Sequence, residues 1–257
     1  MSERGTGDEL DDDGADDGAE KATDIAAGLI AEETSDRPLR LVAGFDFDET
    51  LTRRDTLVPF LFRVAGPLHF AVACLKVLVA GLRGRVSLLD RDAVKERLLA
   101  LLFVGRSESQ LRRLAEQYAR TILHDGIDDA TLARLRAHLD RGDEVVFVSA
   151  SVESYLRPGA ETLGIHDVIG VELAAVEGLL TGELAHPNVR AEQKAVRLRE
   201  HLGQPAEGPL EGVELWAYGN SSGDHALLEM ADHPFWRGRP AKLPPGSAQF
   251  GPEPLER

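Results

Sequence analysis

Apolar residues in this chain follow two alternating patterns. Short continuous runs end in polar or glycine-rich turns, and longer stretches repeat their apolar residues every three or four positions. Leu41, Val42, Ala43 and Phe45 form the first short run, the pattern of a buried parallel strand, and Glu144–Val148 and Val213–Tyr218 form two more. Val168–Val176 and Leu179–Leu184 read as a hairpin around Glu177-Gly178. Helical spacing marks Glu153–Leu163, Ala191–Leu202 and a helix beginning at His225, and glycine stops the first two.

Between the first two strands lies a long region, roughly Asp55 to Leu139, with helical spacing and few breakers. Asp92–Phe103 and Ser107–Leu123 are its clearest helices, with Gly105 as a stop and Ser107 as an N-cap. Leu68–Leu82 is apolar except for His69 and Lys76, which form one stripe with Arg83. Gly66-Pro67 interrupts its start, and a central lysine costs about 2.5–3.5 kcal/mol on insertion, which argues against a membrane span. Two readings of it stand: a buried helix of a small bundle, or a helix lying on a membrane or against a lipid substrate.

Strands alternating with helices on both sides of this insert predict an α/β protein with a Rossmann-like open, mostly parallel sheet core and an inserted all-helical cap. The expected core is 38–54 plus 131–237, and the expected cap is 55–130. Residues 1–37 carry thirteen acids and three bases, so −10 of the formal −15 lies there; that arm is expected to be disordered. Proline and glycine dominate from Gly238, so 238–257 is expected to be a disordered tail. The body is only mildly acidic, and no basic face of the kind that tracks a nucleic-acid backbone stands out in the sequence. The single Cys74 excludes an internal disulfide and fits a reducing compartment, and no signal-peptide pattern opens the chain. The expectation is a cytoplasmic protein, with peripheral contact at the inner membrane surface through Leu68–Leu82 as the second reading.

The first strand runs directly into Asp46-Phe47-Asp48-Glu49-Thr50. Strand alternation turns Asp46 and Asp48 to one side and Phe47 to the other. Two neighbouring carboxylates repel unless a cation sits beside them or one holds a proton. At the carboxyl edge of a parallel sheet, a divalent cation is the expected partner. Three other stretches are expected at that edge, carrying Ser149, then Lys194, then Asn220 with Asp224. Together these groups supply what phosphoryl transfer from a monoester needs: a carboxylate nucleophile, a second acid, and a hydroxyl, a lysine and oxygen ligands to neutralise charge.

With those residues in place, the chain resembles the haloacid dehalogenase superfamily, subfamily IB, phosphoserine-phosphatase-like, over about Leu39 to Arg237. D-x-D-x-T is matched by Asp46, Asp48 and Thr50, the serine motif by Ser149 in VVFVSAS, the lysine motif by Lys194, and the acidic loop by GNSSGD. The resemblance implies a Mg²⁺-dependent phosphatase with Asp46 as nucleophile and Asp48 as general acid/base. Ser149 and Lys194 would bind the phosphoryl group. Mg²⁺ would be held by Asp46, the Asp48 carbonyl and Asn220, with Asp224 in support. Thr50 would brace the first loop, and Thr50, Asp55, Arg97 and Ser151 are the substrate-binding candidates. The substrate would be a phosphorylated small molecule such as phosphoserine, or a lipid phosphate. Two departures stand out. Asn220 replaces a frequent Asp and removes a charge, and Asp55 stands near the position of a longer Glu that reads the substrate amine. A phosphomutase would need the same acid pair, and Asn220 leaves a catalytically weak phosphate-binding protein as the non-enzyme alternative. Gly219–Gly223 also matches G-x-S-x-G with Ser221 as nucleophile, but only Asp224, Asp232 and His233 follow, too close for that triad's layout.

Overall fold

The computed structural model describes residues 38–251. The expectations for the arm at 1–37 and for the last six residues lie outside the described residues. Six parallel strands form the main sheet, in the order β3-β2-β1-β6-β7-β8. They are β1 (Arg40–Phe45), β2 (Glu144–Val152), β3 (Asp167–Val171), β6 (Val213–Gly219), β7 (His233–Trp236) and β8 (Ala248–Gln249). The central strand β1 has Val42, Ala43 and Phe45 fully buried, which explains its unbroken apolar run. Phe45 lies in register with Phe147 on β2 and with Tyr218 on β6, so the ends of these three strands form one edge. Strand order reverses at β1, and the crevice outside such a point is where open α/β sheets bind ligands.

Five helices separate β1 from β2: α1 (Leu57–Ala65), α2 (Pro67–Leu82), α3 (Arg91–Phe103), α4 (Glu108–Asp125) and α5 (Asp129–Arg141). Asp90, Ser107 and Asp128 cap the last three: each aspartate accepts two backbone N–H groups of the first turn, and Ser107 accepts one. The insert leaves and returns at one place. Thr52 bridges Ile127, Arg53 N–H donates to the Gly126 carbonyl at 2.8 Å, and Asp128 N–H donates to Leu51 at 2.9 Å. Helix α5 packs on the sheet, where His138 bonds Tyr218 at 2.8 Å. Helix α6 (Glu153–Thr162) follows β2, and α4 lies along it: the Tyr118 and Tyr155 rings meet edge to face at 5.5 Å. Helices α7 (Glu192–Leu202) and α8 (His225–Glu229) flank β6.

Three sequence expectations need correction. The run Val168–Val176 is not one arm of a hairpin. Its first part, β3, pairs in parallel with β2 and is almost wholly buried, and only β4 (Leu173–Val176) pairs antiparallel with β5 (Leu179–Leu184). The break falls at Glu172, inside an otherwise apolar run. The stretch after Gly238 is not all loop: β8 adds a sixth strand, and Phe250 N–H donates to Trp236 at 2.8 Å. The buried-bundle reading of Leu68–Leu82 also fails. Among the hydrophobic residues of α2 only Ala73 and Val77 are buried, and Leu68, Leu75 and Leu82 are 74%, 59% and 77% exposed.

Candidate active site

Asp46 follows β1 directly and is buried. Its Oδ2 accepts the Thr50 hydroxyl at 2.9 Å and its Oδ1 accepts Lys194 Nζ at 2.6 Å. Lys194, in the first turn of α7, also donates to Asp224 Oδ1 at 2.6 Å, so one buried ammonium joins two buried carboxylates. Burial and then the Asp224 charge raise the Asp46 pKa to about 7, against the opposing pull of Lys194. Burial alone would lower Lys194, but Asp224 and Asp46 overcome it and hold its pKa above the ordinary value. Burial likewise opposes ionisation of Asp224, and Lys194 prevails, so Asp224 lies below the carboxylate norm.

Asp48 is held by a different set. Its Oδ1 accepts the Thr56 N–H at 2.6 Å and the Thr56 hydroxyl at 2.5 Å, and its Oδ2 bonds the Ser151 hydroxyl. Burial raises its pKa, and the Ser151 and Thr56 hydrogen bonds offset part of that rise. Glu49, at φ 57°, turns the chain sharply after Asp48. Thr56 is itself fixed, because Tyr118 donates to its carbonyl at 2.8 Å and its hydroxyl lies 3.0 Å from that of Tyr155. A threonine at the root of the cap thus positions a carboxylate of the core.

The GNSSGD loop follows β6. Asp224 Oδ2 accepts the N–H groups of Asn220 at 3.1 Å and Ser221 at 2.9 Å, and the Ser221 hydroxyl at 2.9 Å. A Cβ on Gly219 would lie 2.5 Å from that of Asp224, so only glycine fits there. Ser221 caps this turn and gives its proton to Asp224, and no histidine bonds it, which removes the serine-hydrolase reading. Asn220 Nδ2 donates to the Asp48 carbonyl oxygen at 3.1 Å.

Ser149 is buried at the end of β2, beside the end of β1, and accepts the Ser151 N–H at 3.1 Å. Asp46, Asp48, Thr50, Ser149, Ser151, Lys194, Asn220 and Asp224 therefore share the carboxyl edge of β1, β2 and β6. Two predicted residues lie apart. Asp55 is exposed and accepts the Val58 N–H at 3.1 Å, opening α1, and it touches Asp48 only through its charge. Arg97 faces outward on α3 and lines a cavity with α2.

Lys95, two residues before Arg97, points inward. Its ammonium bonds the Ala150 carbonyl and Asn188 Oδ1, and burial lowers its pKa to about 8 despite the nearby Asp92 and Asp48. Asn188 in turn donates to Asp92 at 2.6 Å. Thr56, Lys95 and Asn188 are the residues that sequence reasoning missed. Lys95 carried no distinguishing signal, since it stands among Arg91, Asp92, Glu96 and Arg97 on the most charged part of its helix.

The donors converging near Asp46 suit a small hard cation. The Asp46 carboxylate, the Asp48 carbonyl and the Asn220 carboxamide are all oxygen donors, and Asn220 already reaches the Asp48 carbonyl. A separate cluster, Glu144, Asp167 and His201, stands at the opposite, amino end of β2 and β3 and has no part in this site.

Comparison with known proteins follows this geometry. The family model described as haloacid dehalogenase-like hydrolase matches residues 43–229. Protein CicA of Caulobacter vibrioides is 33% identical over 212 residues, covering 78% of this chain and 89% of that protein. Phosphoserine phosphatase SerB1 of Mycobacterium tuberculosis is 30% identical over 217 residues, covering 78% of this chain and 67% of that one. A crystal structure of a protein of unknown function from Bordetella pertussis shares the fold at a TM-score of 0.64 and 22% identity, covering 79% of this chain and 92% of that one.

Proposed function

The chain belongs to the haloacid dehalogenase-like hydrolase family, and we propose that it hydrolyses phosphomonoesters through a phosphorylated Asp46. The observation that carries this reading is the unequal treatment of the two carboxylates. Burial raises the pKa of both, but Asp46 is bonded by Lys194 and Thr50, and Lys194 pulls it back toward the charged form, whereas Asp48 is bonded by Thr56 and Ser151 instead.

In the first step Asp46 Oδ attacks phosphorus, the bond from phosphorus to the ester oxygen breaks, and Asp48 gives its proton to the departing oxygen. In the second, Asp48 takes a proton from water, the water oxygen bonds phosphorus, and the Asp46–phosphorus bond breaks to release inorganic phosphate. Ser149 and the Lys194 ammonium neutralise the phosphoryl oxygens. Asp46, the Asp48 carbonyl and Asn220 would hold Mg²⁺, which when bound would supply further positive charge to the transferring group. Asn220 must then turn its amide over to offer oxygen rather than nitrogen. Lys95 and Asn188 hang from the cap and the β5–α7 loop above this edge and supply polar contacts to the rest of the substrate. SerB1 supports a small metabolite such as phosphoserine as the ester, with a lipid phosphate as the competing class.

The test is release of inorganic phosphate with Mg²⁺ from phosphoserine, lysophosphatidate and p-nitrophenyl phosphate. Borohydride reduction during turnover, read by peptide mass spectrometry, should convert Asp46 to homoserine. Undiminished turnover by Asp46→Asn would refute the reading.

A further inference from the structure

Helices α1 and α2 carry an apolar surface that nothing in the described chain covers. Leu68, Val72, Leu75, Leu78 and Leu82 recur at intervals of three and four along α2, and all are exposed. Phe62 and Val58 of α1 extend the patch. Each of Leu68, Leu75 and Leu82 is followed directly by a base, His69, Lys76 and Arg83, so a basic stripe runs about 100° round the helix from the apolar one. An exposed apolar stripe of this length on a folded protein marks an interaction surface.

Charge narrows what that surface meets. Residues 56–89 contain no Asp or Glu and four bases, Arg63, Lys76, Arg83 and Arg85, in a chain whose formal charge is −15. Between α2 and α3 lies a cavity of about 600 Å³ lined by apolar residues, Leu75, Val79, Ala80 and Val86, and by the cations Lys76, Arg83, Arg85 and Arg97. None of these four cations forms an ion pair with a described residue. Apolar residues beside four cations that pair with no described residue match a molecule with an anionic head and a hydrocarbon body. No single described helix is long and apolar enough to cross a bilayer, and α1 and α2 meet at a bend of 116°, the shape of a hairpin laid along a surface.

We propose that the α1–α2 hairpin docks on an anionic lipid bilayer, with its leucines in the acyl boundary and an anionic headgroup seated in the cavity between α2 and α3. This inference concerns the outer surface of the cap and stands independently of the chemistry at Asp46.

The full chain should co-sediment with phosphatidylcholine vesicles that contain phosphatidylglycerol, and far less with phosphatidylcholine alone or in high salt. Lys76→Gln with Arg83→Gln should weaken that binding about twenty-five-fold, at about fivefold per base near an anionic surface. Leu75→Asn with Leu82→Asn should abolish it. These residues are exposed, so both variants keep the fold, and turnover of p-nitrophenyl phosphate in solution should be unchanged. The proposal is overturned if anionic vesicles fail to recruit the protein, or if the leucine variant still binds. It is equally overturned if light scattering shows a dimer that the leucine variant dissociates, because the patch then faces a second copy. Loss of p-nitrophenyl phosphate turnover in the unaltered chain would count against the phosphatase reading alone.

Discussion

Thr56→Val isolates the control exerted on Asp48. The change keeps the side-chain shape and the backbone N–H bond at 2.6 Å but deletes the hydroxyl that lies 2.5 Å from Oδ1. That hydroxyl favours the ionised carboxylate, and a hydrogen bond to a charged group contributes about 1.5–3 kcal/mol. At about 1.4 kcal/mol per tenfold in the protonation equilibrium, its loss favours protonated Asp48 by roughly ten- to a hundredfold. If Asp48 donates the proton to the leaving oxygen, the alkaline limb of kcat/KM moves to higher pH by about one to two pH units. The assay is the pH dependence of kcat/KM for an alkyl ester such as phosphoserine, with p-nitrophenyl phosphate as control. An alkoxide must leave protonated, whereas p-nitrophenolate leaves unaided, so the shift should appear with the first substrate only. An unmoved limb, a limb moved to lower pH, or equal shifts with both substrates would refute the assignment of Asp48.

A second expectation concerns acid stability. Burial holds His138 neutral and lowers its pKa from 6.5 to about 4, against the pull of Asp143. Arg134 and His138 both bond the Tyr218 hydroxyl group; arginine can only donate, so the Tyr218 proton goes to His138 Nε2. The unfolded chain binds a proton that the folded one refuses, so stability is full above pH 6.5 and falls by about 3 kcal/mol as pH drops through about 4. Urea unfolding across that range should show this slope, and His138→Gln should flatten it. Asn220→Asp adds a charged oxygen donor, so half-activation should need about tenfold less Mg²⁺, read by titrating turnover against the metal. Lys95→Met should raise KM for phosphoserine more than it lowers kcat, because the ammonium is placed to hold substrate rather than to react.

The acid pair, the serine, the lysine and the GNSSGD loop were legible because each follows a core strand or opens a helix, and parallel-sheet topology sends all such ends to one edge. The residues supplied by the insert were not. Lys95 and Arg97 lie two positions apart on α3, about 200° round the helix, so selecting one placed the wrong side of the helix over the site. Which side faces inward is set by how α3 docks on the β4–β5 hairpin, and that docking depends on a hairpin whose start the apolar run Val168–Val176 concealed. Thr56 escaped notice because its role depends on Tyr118 and Tyr155, far along the chain. Strand β8 is two residues long in a proline-rich tail and owes its conformation to β7, a partner that no local pattern reveals.

The closed root of the insert has a mechanical consequence. Thr52 and Ile127 are pinned together, and Tyr118 and Phe60 wedge α4 and α1 against Tyr155 of the core. The cap is therefore held at its base by backbone and aromatic contacts together. Its outer end, where α2 buries only Ala73 and Val77, is tied far less, so whatever grips that end would stiffen the part of the insert least held by the core.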